Sequence, residues 1–173
     1  MKVGGNTSIG GSASVGGRVS APAGVSTAGS SDQAYQDYDV PDEALADDKF
    51  ANMLAKAEQY LGTPYKFGGR NPEEGSVDCS GFVSWVINNC GNGWNLGDRT
   101  AEGLRQATTP VSAEYAAPGD LIFFEKTYDT TGASHVGIYV GNGMMIHAGN
   151  PVSYESIESN YWQSHFLGYG RIE

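Results

Sequence analysis

Three residues of this sequence could together perform nucleophilic catalysis: Cys79, His135 and His147. A thiol attacks a carbonyl carbon after an imidazole takes its proton, and a further polar side chain can hold that imidazole in the required tautomer. The histidines lie in two β-type runs joined by a three-residue Gly-Asn-Gly turn at 141–143, which places them within about 5 to 8 Å of each other. If this hairpin packs against Cys79, then Cys79 is the nucleophile, His135 the base and His147 the residue that orients the base.

A helix is predicted to carry Cys79 in its first turn. Apolar residues recur there with the 3.6-residue period of an amphipathic helix, at Cys79, Phe82, Val83, Val86, Ile87 and Cys90. Asp78 is a good N-cap and Gly91 a natural stop. The positive end of the helix dipole favours a thiolate and can lower a cysteine pKa from about 8.5 to about 3.5 to 7.5. Gly81 costs about 1 kcal/mol of helix propensity, which indicates that another backbone or a substrate approaches closely.

The same residues also have purely structural interpretations. Cys79 could be a small hydrophobic residue at the top of a buried helix, and the histidines could be half-buried on a sheet face. Cys90 follows Cys79 by 11 positions, about 16 Å along a helix and beyond the ~7 Å between Cα atoms that a disulfide spans. We therefore interpret Cys90 as a packing residue.

Composition sets limits on the class of protein. The chain has 173 residues, 39% of them hydrophobic, without a run of about 18 apolar residues that could span a membrane and without a visible signal peptide. Its formal charge of −10 offers no basic face for nucleic acid. One domain is expected, without a nucleic-acid partner and without a membrane span in this chain.

The domain is expected to begin near residue 41. Residues 1–31 contain 8 Gly and 7 Ser and no acidic or aromatic residue, and residues 32–48 contain seven acidic residues and no basic one. Such segments bury too little apolar surface to offset chain entropy. We therefore predict a flexible linker over residues 1–40, Gly/Ser-rich and then acidic, and a folded domain over residues 41–173.

Within the domain, helical patterns come first and strand patterns later. Helices are predicted from about Asp48 to Gly62, from Cys79 to Cys90 and from Thr100 to about Gln106. Four β-type runs follow, at 121–124, 135–140, 144–148 and 167–172. This order indicates an α+β fold in which N-terminal helices pack on a small antiparallel sheet.

Five short motifs resemble those of the NlpC/P60 family of papain-like cell-wall endopeptidases, in order and over about residues 48–173. They are Pro64-Tyr65-x-Phe67-Gly68-Gly69, Asp78-Cys79-Ser80-Gly81-Phe82, Gly119-Asp120-Leu121-x-Phe123-Phe124, His135-Val136-Gly137-Ile138-Tyr139-Val140-Gly141 and Ile146-His147-Ala148. The resemblance implies a papain-like fold and hydrolysis of the γ-D-glutamyl–diamino acid bond in peptidoglycan stem peptides. It implies no metal and no organic cofactor.

The resemblance also assigns residues. Cys79, His135 and His147 match the catalytic positions, while Tyr65, Asp78 and Ser80 match positions that line the pocket for the N-terminal side of the stem peptide. A carboxylate and two hydroxyls can hold a free ammonium, which would restrict cleavage to stems already detached from the glycan. A monomer located outside the cell or at the cell wall is expected.

Three alternatives remain open at this point. Cys79, His135 and His147 could be zinc ligands of a metal hydrolase. The domain could bind the cell wall without hydrolysing it. A papain-like amidase or acyl transferase could also use the same residues, because a fold alone does not fix the acyl donor.

Overall fold

The structure is a computed structural model that describes residues 38–173. Residues Asp42–Glu173 form one compact unit. The linker predicted over residues 1–40 lies almost wholly outside the described residues. In the described part of the chain, no helix is both long enough and apolar enough to cross a membrane.

Helices form most of the first half of the domain. They are α1 Asp42–Leu45, α2 Asp48–Glu58, α3 Cys79–Asn89 and α4 Ala101–Ala107, with α5 Asn160–His165 near the C-terminus and 3₁₀ turns at Pro72–Glu74 and Ala113–Tyr115. The three predicted helices are confirmed as α2, α3 and α4. Helix α1 was not predicted; it lies at the start of the predicted domain, and its first turn holds Asp42 and Glu43. Acidic side chains stabilise a helix N-terminus.

Within residues 38–173, six strands form one antiparallel sheet in the order β1-β6-β2-β3-β4-β5. They are β1 Thr109–Val111, β2 Leu121–Glu125, β3 Ala133–Gly141, β4 Met144–Ala148, β5 Val152–Ser156 and β6 Phe166–Arg171. The predicted runs correspond to the four inner strands, and the α+β prediction is confirmed. Both edge strands, β1 and β5, were not predicted.

The β3–β4 hairpin has the register that the sequence predicts, with a tighter turn. Ile138 pairs with Ile146 and Tyr139 with Met145, and the register then shifts so that Gly141 pairs with Met144. Two residues, Asn142 and Gly143, make the turn with φ of 54° and 73°. The predicted three-residue turn is therefore wrong, because Gly141 belongs to the strand as part of a bulge.

The helices and the sheet share a hydrophobic core. Helix α3 packs against β3 and β4, α4 packs against β3, and α2 packs against α3. A separate group of buried side chains joins the sheet to α5, consisting of Ile122, Phe124, Met145, Ile157 and Trp162. The N-terminus of α3 is thus held against the β3–β4 hairpin, and α5 covers the hairpin's histidines.

The Glu102 side chain connects α4 to the start of β3. Its Oε1 atom accepts hydrogen bonds from Ala133 N at 2.7 Å and from Arg105 Nε at 2.9 Å, and Oε2 accepts from Arg105 and Gln106. The hydrogen bond from Arg105, followed by those from Ala133 and Gln106, lowers the pKa of Glu102 from 4.5 to about 2. The ionised carboxylate therefore holds the end of β3 from which His135 extends.

We expect Glu102→Gln to lower the melting temperature by about 3 °C at pH 7. Because the folded pKa lies below the unfolded value, this stabilisation is present above about pH 4.5 and is lost as the pH falls toward 2. Thermal unfolding at pH 7, 4 and 2.5 checks this, with Glu114→Gln in an exposed 3₁₀ turn as the matched control. A difference between wild type and Glu102→Gln that stays constant over this range would contradict the linkage.

Candidate active site

Cys79 is the first residue of α3, as predicted. The N-cap Asp78 accepts a hydrogen bond from Gly81 N at 2.8 Å. The residue is 7% exposed, and its Sγ atom lies 3.8 Å from the carbonyl oxygen of Ser134. The backbone N–H of Val136 also interacts with the sulfur. Since these two peptide groups flank His135, the sulfur lies beside the main chain of that histidine.

The surroundings of Cys79 favour the protonated thiol over the predicted thiolate. Burial raises the pKa of Cys79 to about 11, and the N–H groups of Val136 and Ser80 only partly oppose it. The helix N-terminus was expected to lower this pKa, but desolvation of the sulfur outweighs it. A nucleophilic attack from this site therefore requires a base that removes the proton as the reaction proceeds.

His135 and His147 form a buried pair. Their Nε2 and Nδ1 atoms, respectively, are 2.8 Å apart, and the two side chains belong to residues that are 9% and 2% exposed. Burial, together with the charge of His147 when protonated, lowers the pKa of His135 well below 6.5. His135 is therefore neutral near pH 7 and able to accept a proton.

The hydrogen-bonded chain extends to a carboxylate that the sequence analysis missed. His147 Nε2 lies 2.7 Å from Glu155 Oε1, and Trp162 Nε1 donates to Glu155 Oε2 at 2.8 Å. Glu155 lies on β5, where Ser153 pairs with His147 and Glu155 pairs with Met145. This alternation along the strand is the pattern that could have identified Glu155. The alternation becomes informative only once β5 is known to be a strand.

Trp162 covers the histidine pair. Its ring centroid lies 5.0 Å from that of His135, with 32° between the planes, and 5.6 Å from that of His147, with 89°. The Trp162 ring also packs against the ring of Phe124, with 4.6 Å between the two centroids. This aromatic cover restricts the access of water to the hydrogen bond between the histidines.

The predicted pocket residues lie close to the nucleophile. Tyr65 is half-buried, and burial, followed by the charges of Cys79 and Asp78, raises its pKa to about 12, so its hydroxyl stays protonated. The backbone of Tyr65 bridges to that of Val77, just before the helix. Ser80 is the second residue of α3 and is buried. The structure thus brings Tyr65, Asp78 and Ser80 to one end of α3.

Arg70 is a second residue that the sequence analysis missed. Its Nη1 atom donates to Asp78 Oδ1 at 2.8 Å and to Ser80 Oγ at 2.9 Å. Asp78 Oδ2 also accepts from Gly68 N at 2.9 Å. The carboxylate expected to hold a free ammonium is therefore already paired with a guanidinium. Arg70 also donates from Nε to Asp98 Oδ1 at 2.9 Å, so the three charged groups together carry one net negative charge.

The possible zinc ligands do not converge on a common point. His135 and His147 direct ring nitrogens at each other across 2.8 Å. Among residues 38–173, no group of three or more His, Cys, Asp or Glu side chains is arranged to hold a metal ion. The arrangement instead suits proton transfer between a thiol and an imidazole supported by a second imidazole and a carboxylate.

Comparison with known proteins gives consistent matches. The profile of the NlpC/P60 family matches residues 62–171. The bifunctional muramidase/DL-endopeptidase CwlT of Bacillus subtilis is 40% identical over 127 residues, which are 73% of this chain and 37% of that protein. The gamma-DL-glutamyl hydrolase of the same species is 37% identical over 137 residues, or 76% of this chain and 31% of the relative.

A solved structure has the same fold. An NLP/P60 family protein similar to a lipoprotein, from Staphylococcus aureus subsp. aureus Mu50, superimposes with a TM-score of 0.68 and 38% sequence identity, over 73% of this chain and 42% of that one. The chain thus spans about a third of the length of the two Bacillus relatives.

Proposed function

Because the chain belongs to the NlpC/P60 family, we propose that it is a peptidoglycan hydrolase that cleaves the γ-D-glutamyl–diamino acid bond of stem peptides. The observation that carries this proposal is the placement of the Cys79 sulfur beside the main chain of His135, whose ring is hydrogen-bonded to His147 at 2.8 Å. The names of the two Bacillus relatives, a DL-endopeptidase and a gamma-DL-glutamyl hydrolase, support the choice of bond.

The proposed reaction begins with acyl transfer to the thiol. His135 takes the proton of Cys79 as the sulfur attacks the γ-carbonyl carbon, and the carbonyl electron pair moves onto oxygen. The N–H of Cys79 at the head of α3 stabilises this oxyanion. The tetrahedral intermediate then collapses, and the His135 imidazolium gives its proton to the departing amine of the diamino acid. A thioester between Cys79 and the glutamyl group remains.

Water then completes the hydrolysis. His135, neutral again, takes a proton from a water molecule that attacks the thioester carbonyl. The C–S bond breaks and the proton returns to Cys79, which releases the glutamyl carboxylate. A neutral resting thiol and a neutral resting imidazole are the two protonation states that this cycle needs, and burial of each group favours them.

Tyr65, Asp78 and Ser80 are proposed to line the pocket for the N-terminal side of the stem peptide. Since Arg70 pairs with both Asp78 and Asp98, it offsets the charge of Asp78 only in part. A free ammonium still gains there, but less than it would beside an unpaired carboxylate. We therefore expect this chain to prefer a stem peptide with a free amine over one with a blocked amine, by less than about tenfold. A monomer acting outside the cell or at the cell wall fits this substrate.

Mass spectrometry of defined stem peptides tests the function. We expect the purified chain to convert L-Ala-γ-D-Glu–diamino acid tripeptides into the dipeptide and the free diamino acid, with lysine and diaminopimelate compared in parallel. An N-acetylated tripeptide should be cleaved with a loss of less than about tenfold, and EDTA should leave the rate unchanged. Release of an intact tripeptide from a muropeptide would indicate an amidase, and loss of activity with EDTA that zinc restores would indicate a metal hydrolase.

A further inference from the structure

Glu155 accepts two hydrogen bonds from groups of different character. Its Oε1 atom lies 2.7 Å from His147 Nε2, and its Oε2 atom lies 2.8 Å from the indole nitrogen of Trp162. An indole nitrogen can only donate, whereas an imidazole nitrogen donates or accepts according to the tautomer. The His147–Glu155 contact is therefore the point at which the direction of the adjoining hydrogen bonds is set.

We infer that Glu155 is a positioning residue that sets the direction of the hydrogen bonds from its carboxylate through His147 to His135. An ionised carboxylate only accepts, so His147 must carry its proton on Nε2 and present Nδ1 as an acceptor. His135 must then donate from Nε2 to that Nδ1. The Nδ1 atom of His135 then carries no proton, and its lone pair takes the proton of the thiol. This inference rests on the proposed function, in which His135 is the base.

Trp162 makes this inference testable, because it makes the carboxylate hard to replace with an amide. Gln at position 155 has one acceptor oxygen for two donors. If that oxygen pairs with the indole N–H, the amide NH₂ faces His147 and forces its Nε2 to accept. His147 then donates from Nδ1 to His135 Nε2, and His135 carries its proton on Nδ1, where it cannot act as the base.

Removing the indole N–H should release Gln from this conflict. In the double variant Glu155→Gln/Trp162→Phe, the amide oxygen is free to accept from His147, which restores the original direction of the hydrogen bonds. Phenylalanine keeps an aromatic ring against His135 and Phe124. A residue that only stabilised the fold would instead lose more when both positions were changed.

The experiment measures the rate at which iodoacetamide alkylates Cys79 at pH 7, by peptide mass spectrometry. It compares wild type, the two single variants and the double variant. Cys90, the other free cysteine among the described residues, serves as an internal reference thiol in every sample. Glu158→Gln, the same chemical change three positions along the chain, is the matched control.

We expect Glu155→Gln to slow alkylation of Cys79 about 10- to 100-fold, without a change at Cys90. Trp162→Phe should slow it about threefold or less, because the ring contacts remain. The double variant should react about fivefold faster than Glu155→Gln, a coupling of the size that contacting residues show. Glu158→Gln should match wild type. The inference is overturned if Glu155→Gln reacts like wild type, or if the double variant is no faster than Glu155→Gln.

Hydrolysis of the stem tripeptide by the same variants separates this inference from the proposed function. If both hold, kcat follows the same order as the alkylation rates, with the double variant above Glu155→Gln. If wild type cleaves no stem peptide while the alkylation rates follow the expected order, the proposed substrate is wrong and the role of Glu155 stands. If wild type is active and the double variant shows no recovery in either measurement, the role of Glu155 is wrong and the proposed function stands.

Discussion

Cys79→Ala is expected to lower hydrolysis of the stem peptide by at least about 10⁴-fold, because it removes the proposed nucleophile. The fold should persist, since the substitution removes only a sulfur atom, which contacts the Ser134 carbonyl at 3.8 Å and the Val136 N–H. We expect the melting temperature to change by about 3 °C or less. Single-turnover hydrolysis followed by mass spectrometry, together with circular dichroism on heating, measures both effects.

Cys90→Ala is the control for this variant. Cys90 caps the opposite end of the same helix, where its sulfur contacts Ile87 O at 3.5 Å. Its loss should leave hydrolysis within about twofold of wild type, since the residue lies about 16 Å from the nucleophile along the helix. Turnover that survives in a folded Cys79→Ala variant would disprove the thiol mechanism.

Gly81→Ala is expected to destabilise the domain strongly, although it adds only one methyl group. A Cβ atom at this position would overlap the carbonyl oxygen of Gly69 and lie 3.0 Å from Arg70 Cα. Both neighbours are backbone atoms that cannot rotate away, so the loop would have to move. We expect a loss of about 3 kcal/mol or more and a melting temperature lower by about 10 °C.

Gly103→Ala is a matched control because Gly103 holds the same position in α4 that Gly81 holds in α3. Each is the third residue of its helix, and each donates its N–H to the N-cap side chain, Thr100 in one case and Asp78 in the other. A Cβ atom on Gly103 meets only side-chain atoms, at 3.2 Å or more. The substitution at Gly103 gains up to about 1 kcal/mol of helix propensity, so the free energy of unfolding should change little. Thermal unfolding followed by circular dichroism compares the two variants, and equal melting temperatures would contradict the proposed overlap.

The sequence predicted the parts of the fold whose signal is local. The apolar stripe and Asp78 define α3, and Gly81 indicated the close backbone approach that the structure confirms at Gly69. The register of the β3–β4 hairpin followed from its turn and its alternating residues. The two strands that were missed are the two edges of the sheet. β1 has three residues including Pro110, and only the first half of β5 is well buried, so neither shows the pattern of an inner strand.

The missed site residues escaped prediction for a related reason. Arg70 lies in a loop, and its role depends on its contact with Asp78, which leaves no periodic pattern in the sequence. Glu155 lies on the edge strand β5, so its place beside His147 follows only once that strand is known. The pKa of Cys79 depends on how completely the hairpin covers the sulfur, and neither the helix N-terminus nor the motif reports that burial.

The two edges of the sheet also bear on association between chains. An exposed edge strand is a template on which another chain can add a strand and begin aggregation. Pro110 lacks an N–H, so β1 offers an incomplete row of donors. At the other edge, the charged side chain of Glu155 on β5 is 46% exposed. This carboxylate, assigned above to the hydrogen-bonded chain of the active site, therefore also discourages a second sheet from pairing with β5.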